Sequence, residues 1–113
     1  MLVFDTSKVE DMSDLFNDGN FNRPLQHWNT AKVRSMNKMF YRTPFNQAIN
    51  WDTSSLTDTS SMFEDSFKFN HPLMISTSKV VNMDKMFYVR PGYGHVSQFD
   101  QVIYFNFSGL SNG

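Results

Sequence analysis

Residues 45–56 read FNQAINWDTSSL, and the same phrase returns along the chain: FNRPLQHWNTAKV at 21–33, FNHPLMISTSKV at 69–80 and FDQVIYFNFSGL at 99–110. A phrase recurring at this interval means that one small unit, unable to bury its apolar side alone, is completed by its neighbours. With the large apolar residue before the DTS-like stretch as marker, Phe4, Trp28, Trp51, Ile75 and Phe105 follow at steps of 24, 23, 24 and 30. The longer last step locates an insertion, VRPGYGHVSQ, at 89–98. The chain thus reads as a single repeat domain over 1–113, with coils at about 4–27, 28–50, 51–74 and 75–104, and a partial one at 105–113.

The offsets inside each coil point to two elements. After the marker, apolar residues recur as Val33, Met36, Met39 and Phe40, a spacing that predicts one face of a short helix. Thr6, Thr30, Thr53 and Thr77 precede that stretch, each followed by Ser or once by Ala, and either the Thr or the Ser after it is expected to cap it, with Ser7 and Glu10 at capping-box spacing in the first coil. The other half ends in alternation, Ile49 and Trp51 inward and Asn50 outward, which predicts a short parallel strand. The expected fold class is therefore an α/β solenoid of about four and a half repeats, one short strand and one short helix in each. Stacking would align Phe21, Phe45, Phe69 and Phe99 in one column and Leu25, Ile49, Leu73 and Ile103 in another, with Trp28 and Trp51 at the marker position. Asn22, Asn46 and Asn70, each following a column Phe, are expected to satisfy backbone groups at the bend, since a buried unsatisfied group costs roughly 1–3 kcal/mol.

Composition removes several classes of function. Ten basic and eleven acidic residues are scattered without runs, so no electrostatic footprint for nucleic acid or an anionic membrane exists. With no cysteine, disulfides and thiolate chemistry are absent. No apolar run reaches the roughly 18 residues of a membrane span, and MLVFDTSKVED is not expected to act as a signal peptide. His27, His71 and His95 share no metal-ligand spacing, and neither a Gly-x-Ser-x-Gly elbow nor a phosphate loop occurs. No catalytic residue, metal or cofactor is expected.

The pattern F-N-x-x-Φ-x-W-[DN]-T-S-x-Φ-x-x-M-x-x-M-F, running through residues 4–110, resembles the repeat of BspA-like surface proteins and mycoplasma-type lipoproteins, a divergent branch of the leucine-rich repeats. That resemblance implies a right-handed β/α solenoid, a cell-surface or virion setting, and adhesion or recognition without catalysis. Two roles follow as expectations. One is a protein-interaction or adhesion module that meets a protein or glycan partner through outward rows (Asn50, Asp52, Met74, Tyr104) and the insertion (Arg90, Tyr93, His95). The other is an architectural subunit of a large assembly. In that role neighbouring chains cover the apolar ends at Leu2 and Phe4 and at Phe105, Phe107 and Leu110, end-to-end self-association included.

Overall fold

The computed structural model describes residues 5–76, 78–91, 96–99 and 103–104, with backbone alone at 74, 103 and 104. The chain returns to the same place once per repeat. Parallel bridges join Asp11 to Ser35, Ser35 to Asp58 and Asp58 to Asn82, at intervals of 24, 23 and 24 residues. On the other side, strand β1 (Leu73–Met74) pairs in parallel with strand β2 (Ile103–Tyr104), Leu73 opposite Ile103 and Met74 opposite Tyr104.

The expected α/β solenoid, with a helix and a strand in each repeat, is corrected here. Among the described residues there is no α-helix, and strand is confined to β1 and β2. The segments that carry helical apolar spacing are runs of tight turns instead. In an α-helix every interior N–H bonds back to the carbonyl four residues earlier. Here alternate N–H groups leave the segment. Met12, Asp14, Phe16 and Asp18 donate to the carbonyls of Ser35, Asn37, Met39 and Tyr41 at 2.7–3.0 Å. Met36, Lys38, Phe40 and Arg42 repeat this onto Asp58, Ser60, Met62 and Glu64, as do Thr59, Ser61, Phe63 and Asp65 onto Asn82, Asp84, Met86 and Tyr88. Intervening N–H groups close four-residue turns, such as Leu15 to the carbonyl of Met12 and Asn17 to that of Asp14.

This zigzag requires left-handed backbone at regular places. Asp14, Lys38, Ser61 and Lys85 share one position, with φ between 55° and 60°, and Asp18, Arg42 and Asp65 share another at 56–57°. None of the seven is β-branched or aromatic, the side chains least compatible with that region. The threonines are tied to the neighbouring layer rather than to a helix start. Thr6 Oγ1 donates to the carbonyl of Asn29 at 3.0 Å and Thr30 Oγ1 to that of Asp52 at 2.8 Å, while Thr53 Oγ1 accepts from the N–H of Ser76 at 2.7 Å. Ser7 turns its N–H and hydroxyl onto Asp5 Oδ1 instead of forming a capping box with Glu10. Thr77 lies outside the described residues.

The apolar residues that mimic a helical face do point inward: Val33, Met36, Met39 and Phe40 are fully buried. Two aromatic columns run through the core. Phe16, Phe40, Phe63 and Phe87 follow one another at ring-centroid distances of 5.7, 5.4 and 5.5 Å. Phe21, Phe45, Phe69 and Phe99 follow at 6.2, 6.1 and 5.8 Å. Within a layer the columns touch, Phe40 on Phe45 at 4.0 Å and Phe63 on Phe69 at 4.2 Å. Trp51 is buried beside Phe40 and donates its indole N–H to the carbonyl of Leu25 at 2.9 Å, whereas Trp28 is half-buried beside Phe16.

Candidate functional site

The side chains that recur most strictly are consumed by stacking. Asn22 Oδ1 accepts the backbone N–H of Asn46 at 2.8 Å, and Asn46 Oδ1 accepts that of Asn70 at 2.9 Å. Each amide side chain thus satisfies a donor in the layer above it. Among the described residues no buried side-chain nitrogen or oxygen is left without a partner, and no cluster of three potential metal ligands occurs.

Three surfaces remain. The first is the outward side of the marker half, where Pro24, Asn50, Asp52 and Pro72 are exposed. Asp52 is also engaged locally: the hydroxyl of Ser54, and its N–H at 2.9 Å, hold the carboxyl below the ordinary aspartate range. Asn50 and Asp52 are thus both exposed, and β1 and β2 bring the backbone of Met74 and Tyr104 side by side.

The second surface is the base of the insertion. Arg90 reaches back one layer, its N–H donating to Asp65 Oδ1 at 2.7 Å and its Nε standing 2.9 Å from Asp65 Oδ2. Its guanidinium also lies 3.9 Å from Glu64, whose carboxylate is buried, and donates to the hydroxyl of Tyr41. At the far end of the insertion, the N–H of Gln98 donates to the carbonyl of Phe67 at 2.7 Å. Both ends of the excursion are thus fixed to the layer that carries Asp65 and Phe67. Beside this clamp is a cavity of about 320 Å³ lined by Asp18, Arg42, Asp65, Phe67 and Arg90, in which Arg42 stands 3.6 Å from Asp18. Tyr93 and His95 lie outside the described residues. Tyr41, Glu64 and Asp65 were not legible as partners of Arg90; the signal was their place next to the segment where length varies between repeats.

The third surface is the end of the stack at the first layer. Val9, Met12, Leu15, Phe16, Phe21 and Trp28 line an apolar hollow of about 1070 Å³, and Leu15 is 48% exposed there. Leu2 and Phe4, and Phe105, Phe107 and Leu110 at the other end, lie outside the described residues.

Residues 1–99 match the family described as "Mycoplasma protein of unknown function, DUF285". The chain belongs to the DUF285 family. The match covers all four turn-built layers and the whole of the insertion. No curated protein and no solved structure matches the chain.

Proposed function

We propose that this member of the DUF285 family is a non-catalytic interaction module that offers its outward face and its insertion to a protein or glycan partner. The observation that carries the reading is the clamp. An insertion that merely interrupted the period would need no anchoring, yet Arg90 is engaged by Asp65, Glu64 and Tyr41, and Gln98 by Phe67. Fixing both ends lowers the conformational entropy that a loop loses on binding, and so favours recognition by it. The resemblance to BspA-like surface proteins supports the same role and a cell-surface or virion setting.

Two sets of variants test the proposal. In one, Tyr93 and His95 are replaced by alanine; in the other, Asn50→Ala is combined with Asp52→Ser, the residue that stands at the equivalent position 76. Labelled protein is applied to arrays of glycans and of extracellular receptor domains. The reading expects at least one set to lose the binding seen with the parent while its melting temperature stays the same. Binding that neither set alters would refute it.

A further inference from the structure

Stacking gathers charges that the sequence scatters. Asp18, Arg42 and Asp65 hold the second left-handed position of three successive layers, and Val89 stands at the equivalent place in the fourth. The four therefore form one row across the stack, with the cavity of about 320 Å³ beside it. Because all four layers contribute a wall, the cavity lies on the flank of the stack and does not depend on what meets either end. Each carboxylate in the row already holds a cation: Asp18 Oδ1 is 3.6 Å from Arg42 Nε, and Asp65 Oδ2 is 2.9 Å from Arg90 Nε. The Asp18 and Arg42 side chains are nonetheless 67% and 53% exposed, so their outer atoms face solvent at the cavity.

Charge decides what fits there. An anion brought to Arg42 would meet the Asp18 carboxylate beside it, and a cation brought to Asp18 would meet the guanidinium. A hydroxyl suffers from neither, since it both donates and accepts. Two adjacent hydroxyls can donate to the carboxylate and accept from the guanidinium without breaking the pair, and such charge-assisted bonds are stronger than those between neutral groups. Phe67 and Val89 add apolar surface to the same lining. A sugar ring carries both features, hydroxyls on its edge and C–H groups on its face. The volume is near the lower bound of small-ligand pockets, about 300–1,000 Å³, which suits one sugar residue.

We infer that this flank cavity takes one residue of a neutral glycan, with Asp18 and Arg42 holding adjacent hydroxyls. The inference rests on the recognition reading above and deepens it, by naming the class of ligand and placing it at the base of the insertion.

Amide spectra of the full 113-residue chain test it, titrated with the methyl glycosides of glucose, galactose, mannose and N-acetylglucosamine, and with methyl glucuronide as a charged comparison. At least one neutral glycoside is expected to shift the amides of Asp18, Arg42, Asp65 and Arg90 to saturation, with a dissociation constant of about 1–10 mM for a single sugar residue. Asp18→Asn and Arg42→Gln should each weaken it roughly ten-fold or more, the amides elsewhere keeping their positions. Arg34→Gln, in the exposed pair with Glu10 outside the cavity, should leave it unchanged. The inference is overturned if no neutral glycoside moves these amides by about 50 mM, if only the glucuronide does, or if neither cavity variant weakens the effect. Any of these results, with array binding still lost in the Tyr93 and His95 or the Asn50 and Asp52 variants, sinks this inference alone. Saturable shifts at the cavity with array binding indifferent to both sets would uphold it and refute the reading of the loop and outward face.

Discussion

Replacing Phe40 by alanine should cost far more than the same change at Phe21, although both residues belong to the aromatic columns. Phe40 is fully buried and has ring neighbours on every side: Phe45 at 4.0 Å in its own layer, Phe63 at 5.4 Å and Phe16 at 5.7 Å in the layers flanking it. Core Phe→Ala changes cost about 3–5 kcal/mol, because the surrounding rings close only part of the cavity. Phe21 stands at the end of its column, half-buried, with Phe16 at 3.9 Å and Phe45 at 6.2 Å as its ring neighbours. About half the burial gives about half the cost, ~2 kcal/mol. A chain of this length has a total stability of roughly 6–17 kcal/mol, so Phe40→Ala removes a large share of it. Urea unfolding followed by circular dichroism at 25 °C reads the difference directly. Equal costs at the two sites, or a cost at Phe40 below about 1 kcal/mol, would refute the stacked arrangement as the source of stability.

Three other changes probe the ties between layers. Thr30→Val keeps the shape of a buried side chain but removes its hydrogen bond to the carbonyl of Asp52, and should cost about 1–3 kcal/mol in the same urea assay. Asn46→Leu removes the acceptor for the N–H of Asn70 and should cost a similar ~1–3 kcal/mol, while Asn46→Asp, which keeps an oxygen there, should cost less. Lys38→Val places a β-branched side chain at φ 56° and should lower the unfolding free energy by about 1–2 kcal/mol, whereas Lys38→Gly should leave it within roughly 1 kcal/mol of the parent. A last prediction concerns pH. The Ser7 hydroxyl, at 2.6 Å, and the Ser7 N–H hold the Asp5 carboxyl below its ordinary range. A group whose pKa is lowered by folding stabilises the folded state above its unfolded pKa, about 4, and loses that contribution as pH falls through the folded value. Melting temperatures of Ser7→Ala should therefore fall less steeply than those of the parent as pH drops through this range; parallel curves would contradict it.

The repeat interval and the identity of the columns were legible because apolar spacing survives substitution: Phe21, Phe45 and Phe69 keep their places while the residues around them vary. The element type was not. Val33, Met36, Met39 and Phe40 fall inward whether the backbone coils as a helix or runs through successive turns, so apolar spacing alone does not separate the two. What separates them is where alternate N–H groups go, which no side chain announces. The left-handed sites offered a weak hint at Asp14, Asp18 and Asp65, but Lys38, Arg42 and Lys85 hold the same conformation with ordinary helix-forming residues. Threonine before an apolar run has the same look as a cap, and Thr30 spends its hydroxyl on the layer beside it instead. At the insertion, residue type singled out Arg90, yet its binding partners Asp65 and Tyr41 stand 25 and 49 residues earlier and become its neighbours through stacking alone.

Nuclear magnetic resonance on the isotopically labelled chain tests the central claim most directly, through hydrogen-bond couplings between backbone amides and carbonyls. The account predicts couplings from Asp14 to Asn37, from Lys38 to Ser60 and from Ser61 to Asp84, with a positive φ at Lys38. A continuous series of couplings four residues apart through 33–40, with helical φ at Lys38, would contradict it.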